Sequence, residues 1–85
     1  MKSKTYHCRQ RAKERYNLIF NSGHIAIFND NIRRNKYKFL GSPEEDITDW
    51  LIEYKHNKLI ARYSQLKNRI VTFLPKISLE YGEII

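Results

Sequence analysis

Two short runs of the chain carry side chains suited to holding an anion. The first, Arg9, Arg11, Lys13 and Arg15, sets four cations at alternate positions, and the second reads Arg33-Arg34-Asn35-Lys36-Tyr37-Lys38-Phe39. A guanidinium can fork two phosphate oxygens, and an ammonium acts as a point charge beside one. On a helix, Arg9 with Lys13 and Arg11 with Arg15 would form two ridges on different sides. On a strand all four would face the same way. Either geometry yields a cationic surface able to lie along a phosphate backbone. In the second run, strict alternation puts Arg34, Lys36 and Lys38 on one face of a strand and Tyr37 and Phe39 on the other. Backbone contact by the cations follows from that pattern, whereas the two rings read as core residues, not as a platform for stacked bases.

The distribution of charge supports this reading. The chain has a net charge of +7, and its first 38 residues hold ten Lys/Arg against Glu14 and Asp30, a net +8. The remainder is close to neutral. A one-sided excess builds a field that attracts a polyanion, whereas an even one serves mainly solubility. The eight residues expected at phosphates are therefore Arg9, Arg11, Lys13, Arg15, Arg33, Arg34, Lys36 and Lys38.

Other chemistries find less support. His7, His24 and His56 are far apart, and Cys8 has no second Cys or His at ligand spacing beyond its neighbour His7. A ribonuclease could pair one His with a cation at a scissile phosphate. A single imidazole among many cations does not specify that, so the expectation is a non-catalytic protein with no cofactor or metal. Glu44, Glu45 and Asp46 suit the first turn of a helix, Asp49 and Glu53 suit a solvated edge, and Trp50 suits a core anchor. There is no Gly-rich phosphate loop and no zinc-finger or RNP spacing.

The elements that must position these groups read as a single α+β domain over residues 1–85. Residues 5–21 suit a helix with Cys8, Ala12, Tyr16, Ile19 and Phe20 on its apolar arc, stopped by Asn21-Ser22-Gly23; a strand over Tyr16–Phe20 is the alternative. His24–Phe28 and Lys36–Leu40 suit the two strands of a hairpin about Asn29-Asp30-Asn31. Ser42-Pro43-Glu44-Glu45 has the form of a capping box. It would open a helix with Ile47, Trp50, Leu51 and Tyr54 on one stripe, broken near His56-Asn57. Leu59, Tyr63, Leu66, Ile70, Phe73 and Leu74 form a further helical stripe, although Ile70–Phe73 has strand propensity. Residues 77–81 alternate as an edge strand would.

A single cysteine, no apolar run behind the basic N-terminus and no stretch near the ~20 apolar residues of a membrane span point to a cytoplasmic protein with no membrane partner. Chains of this size often gain stability as homodimers. With Cys8 lone, Arg9–Arg15 and Arg33–Lys38 basic and the rest near-neutral, the chain resembles small host-takeover proteins of T-even-type bacteriophages, among them RNA-binding inhibitors of toxin–antitoxin systems. The resemblance implies RNA binding within a protein–RNA assembly that restrains a toxin RNase, as an oligomer in the host cytoplasm. The expected function is thus non-catalytic nucleic-acid binding, RNA favoured over DNA. The rival is a protein-interaction module that docks a basic face on a host enzyme without nucleic acid.

Overall fold

The computed structural model describes residues 5–75, which form two helices followed by a four-stranded antiparallel meander in the order β1-β2-β3-β4. The α+β class matches the sequence expectation, but most individual elements do not.

Helix α1, Tyr6–Tyr16, buries Cys8, Ala12 and Tyr16, one residue per turn of the predicted arc. It ends at Asn17, which adopts left-handed geometry (φ 55°) and donates its N–H to the Lys13 carbonyl, while the Leu18 N–H donates to the Ala12 carbonyl. Asn tolerates that conformation best after Gly, so the helix stops short of the expected Asn21-Ser22-Gly23 signal. Ile19 is consequently 80% exposed, while Phe20 is buried.

Residues 21–33 depart furthest from expectation. The predicted strand at 24–28 and turn at 29–31 are both part of helix α2, Ser22–Arg33. Asn21 caps it: its side chain accepts from the His24 N–H (2.9 Å), and His24 Nδ1 accepts from the Asn21 N–H (3.1 Å). The imidazole thus takes the place that Glu or Gln holds in a usual capping box. Ile25, Phe28, Asn29 and Ile32 line the buried face at helical spacing. The polar residues of the supposed turn have tertiary partners that offset their low helix propensity. Asn29 Oδ1 accepts from the Ile70 N–H (2.7 Å), and Asn31 Nδ2 donates to the Tyr37 hydroxyl (3.0 Å).

The sheet consists of β1, Lys38–Glu44; β2, Ile47–Tyr54; β3, Asn57–Ser64; and β4, Arg69–Phe73. β1 covers the C-terminal part of the expected second hairpin strand, but its partner is β2. The predicted capped helix is instead a β-turn flanked by two strands. The Ser42 hydroxyl reaches the carbonyls of Glu44 and Ile47 (2.9 and 2.7 Å), and Asp46 takes the left-handed turn geometry (φ 67°). Pro43 is tolerated because β1 is an edge strand. The predicted helix break at His56-Asn57 is a chain reversal, with Lys55 and His56 both at positive φ (46° and 70°) between β2 and β3. That is the geometry of a two-residue type I′ hairpin turn. The last expected helix is β3, a turn and β4, in line with the strand propensity of Ile70–Phe73. The strand expected at 77–81 lies outside the described residues.

Side chains alternate across β2 and β3, so Trp50, Ile52, Leu59, Ala61 and Tyr63 share the face that meets the helices. Ile70 and Phe73 from β4 join them. Phe20 is surrounded by the rings of Phe28, Tyr54 and Phe73, at centroid distances of 5.1, 5.1 and 6.1 Å. On the other face Asp49 is fully buried and takes a two-pronged bond from Arg62, with Nε–Oδ1 and Nη2–Oδ2 both 2.9 Å. β4 is the second edge strand, and side chains from the helices occupy its backbone groups. Arg15 Nη1 donates to the Phe73 carbonyl (2.6 Å), and Asn29 accepts from Ile70. Edge polar groups are a template for unwanted pairing, and these two bonds occupy one carbonyl and one N–H of β4.

Candidate nucleic-acid interface

The eight cations singled out from the sequence fall into two classes once their surroundings are known. Arg11 pairs with Glu14 across one helical turn (2.7 Å), and Arg34 pairs with Asp30 in the same way (3.0 Å). Arg15 is committed to the Phe73 carbonyl. Arg33 reaches across to the β3–β4 turn, where Nη1 donates to the Asn68 carbonyl (3.0 Å) and approaches the Tyr63 hydroxyl (3.4 Å). The same hydroxyl donates to Asn68 Oδ1, so Arg33, Tyr63 and Asn68 form one small network. Arg9 Nε donates to Thr5 Oγ1 (3.0 Å). Lys13, Lys36 and Lys38 are exposed and make no ion pair or side-chain hydrogen bond among the described residues.

The expected alternation over residues 34–38 is not observed, because Arg34 is the C-terminal cap of α2 and β1 begins only at Lys38. Tyr37 is half-buried against the core, as expected. Phe39 is not: it is 51% exposed and meets Trp50 edge-on at 5.3 Å. Trp50 is half-buried, and its indole N–H is occupied by Thr48 Oγ1 (2.9 Å). Phe39 therefore presents an open ring at the β1 edge, close in sequence to Lys36 and Lys38.

The fold also brings together nitrogen-bearing side chains that the sequence pattern left out of the phosphate set. His7, Lys67 and Arg69 line one cavity of about 350 Å3 with Val71 and Thr72. Lys67 belongs to the β3–β4 turn, the same turn that Arg33 grips through Asn68. The second basic stretch thus reaches this turn through Arg33, and α1 reaches the neighbouring cavity through His7. A larger groove of about 600 Å3 lies along α1, lined by Tyr6, Arg9, Lys13, Glu14 and the exposed Ile19 among others. The missed residues carried a faint signal, since Lys67-Asn68-Arg69 is a polar, basic run suited to a turn. Reading 59–74 as one helix concealed it.

Cys8 and Tyr16 titrate away from their ordinary values. Burial raises the Cys8 thiol above 9.0, against the smaller opposing influence of Arg9 and Arg69 nearby. Burial likewise raises the Tyr16 hydroxyl above 10.0, although it accepts the Ile60 N–H (3.2 Å). A buried thiol held in its neutral form is a packing residue and a poor nucleophile. Among the described residues no group of three His, Cys, Asp or Glu is arranged to hold a metal ion, and no helix is long and apolar enough to cross a membrane.

No family model matches the chain, and no curated protein or solved structure matches it either.

Proposed function

We propose that the protein is a non-catalytic nucleic-acid-binding protein that holds the phosphate backbone of RNA. The observation that carries this reading is the separation of its cations into two sets. Those on the helices are largely tied to carboxylates or backbone carbonyls, while Lys13, Lys36, Lys38, Lys67 and Arg69 remain without an intramolecular partner among the described residues. Unpaired cations gain most from a phosphate, because no existing bond must be broken to make the new one. Arg33, bonded at the β3–β4 turn, borders Lys67, and its charge adds to the field. The open ring of Phe39 supports single strands over duplex, since an unpaired base can stack on it and a paired one cannot.

The cellular role drawn from the resemblance extends this proposal: inhibition of a host toxin–antitoxin RNase by a phage protein, within a protein–RNA complex in the reducing host cytoplasm. The free, buried Cys8 is compatible with that compartment. A salt titration of purified protein against labelled single-stranded RNA and duplex DNA of equal length tests the binding. The expected result is tight RNA binding whose log–log salt slope falls by about 0.7 for each phosphate held on a single strand. Binding to neither polymer at physiological salt refutes the proposal and turns the search to an acidic protein surface.

A further inference from the structure

Resting on the nucleic-acid reading, we propose that the cavity between α1 and β4 is a site for a phosphate monoester, the phosphorylated end of an RNA strand. Its walls bring together three nitrogen-bearing side chains from three places in the fold. His7 comes from the first turn of α1, Lys67 from the β3–β4 turn and Arg69 from the start of β4. None of the three has an ion-pair or side-chain hydrogen-bond partner among the described residues, and no carboxylate lines the cavity. The unpaired charges of Lys67 and Arg69 are held at one concavity against their mutual repulsion, and an anion relieves it.

Two further features add to this electrostatic arrangement. The α1 N-terminus has no side-chain cap and no acidic residue in its first turn, so the positive end of its dipole is not neutralised by a residue of the helix. Arg69 lies close enough to α1 to act on the buried Cys8 thiol, which places its charge at the same end of the helix as His7.

The surroundings favour a strand end over a backbone that continues across the two turns. The β1–β2 turn, with Glu44, Glu45 and Asp46, sits at the same end of the sheet, joined to the β3–β4 turn by the bond from the Gln65 N–H to the Asp46 carbonyl (2.8 Å). A backbone that ran on past the cavity across this end of the sheet would meet three carboxylates. A strand that terminates in the cavity avoids them. A terminal monoester also carries close to two negative charges where an internal diester carries one, which suits three converging donors better. The volume of about 350 Å3 admits a phosphate with part of its nucleoside.

The test compares one short single-stranded RNA made with a 5′-phosphate, with a 3′-phosphate and with hydroxyl ends, together with inorganic phosphate followed by NMR. A phosphorylated end should bind about tenfold tighter than the hydroxyl form, equivalent to about 1.4 kcal/mol. Lys67→Ala and Arg69→Ala should weaken the phosphorylated forms about tenfold more than the hydroxyl form, which abolishes that preference. Lys13→Ala, outside the cavity, should weaken all the RNAs alike and leave the preference intact. Inorganic phosphate should shift the His7 imidazole resonances, and the two cavity variants should suppress the shift. Their side chains have no partners to lose, and circular dichroism checks their folding. Equal affinity for all RNA forms overturns this inference and leaves the nucleic-acid proposal standing. A phosphate shift at His7 without binding of any RNA overturns the strand-end assignment together with the proposed function.

Discussion

The most informative single substitution is Arg15→Met, because sequence and structure assign this residue opposite roles. Read from the sequence, Arg15 is one of eight phosphate contacts, and its loss should flatten the salt dependence by about 0.7 on single strands. Read from the structure, its guanidinium is bonded to the Phe73 carbonyl at 2.6 Å and seals the outer edge of β4. A hydrogen bond from a charged donor contributes about 1.5–3 kcal/mol, and the partial exposure of this side chain sets the figure near the lower end. Met keeps most of the aliphatic stem and its packing, so the substitution isolates the bond. A loss of about 1.5 kcal/mol, at roughly 4–8 °C per kcal/mol for a domain of this size, lowers the melting temperature by about 6–12 °C. The matching urea experiment should move the midpoint without changing the slope. RNA affinity, measured well below the new melting temperature, should keep its salt slope, whereas Lys36→Ala should do the reverse. A variant that melts like the parent and loses 0.7 in slope would falsify the division of cations into bonded and free sets.

Three further predictions concern other parts of the fold. Asn29→Ala leaves the buried Ile70 N–H without its acceptor and should cost about 1–3 kcal/mol in urea unfolding; an unchanged midpoint would mean that the bond contributes nothing. Asn21→Ala removes the α2 cap and should cost about 1 kcal/mol, visible as a lower melting temperature by circular dichroism. Cys8 and Tyr16 hold their protons above 9.0 and 10.0 in the fold, while the unfolded chain releases them at those values. Their contribution is therefore fully present below pH 9.0 and is lost as pH rises through 9.0 and 10.0 towards the folded-state values. Stability against urea should fall over that range, and Cys8→Ala should flatten the earlier part of the fall.

The part of the fold legible in the sequence was the part with a single buried face. α1 shows only Cys8, Ala12 and Tyr16 to the core, and the helical period survives in those residues. β2 is different: Thr48, Asp49, Leu51 and Ile52 are all buried, so both faces of the strand are filled. Two-sided burial erases the alternation that marks a strand. What remains, Ile47, Trp50, Leu51 and Tyr54, imitates a helical stripe. The hairpin at Lys55-His56 was hidden for a related reason, since its left-handed residues are neither Gly nor Asn. α2 was misread because Asn29 occupies a buried position that a helical pattern would fill with an apolar residue, and its justification is a bond to Ile70, 41 positions away. Of the candidate site, Lys13, Lys36 and Lys38 were identifiable from charge alone. Arg11, Arg15, Arg33 and Arg34 look the same in the sequence, and only their partners distinguish them. His7, Lys67 and Arg69 become neighbours only when β4 docks on α1.

The sealing of β4 also fixes an order of events during synthesis. The two residues that occupy its edge, Arg15 and Asn29, are translated early, and the backbone groups they hold, at Phe73 and Ile70, are translated 58 and 41 residues later. At roughly 5–20 residues per second, α1 waits several seconds with Cys8, Ala12 and Tyr16 uncovered. The hairpins of the meander are local and can close as they emerge, but each is incomplete without helices that already exist. β4 therefore locks helices that were translated well before it, and a message cut short before Phe73 leaves Arg15 without the carbonyl it holds.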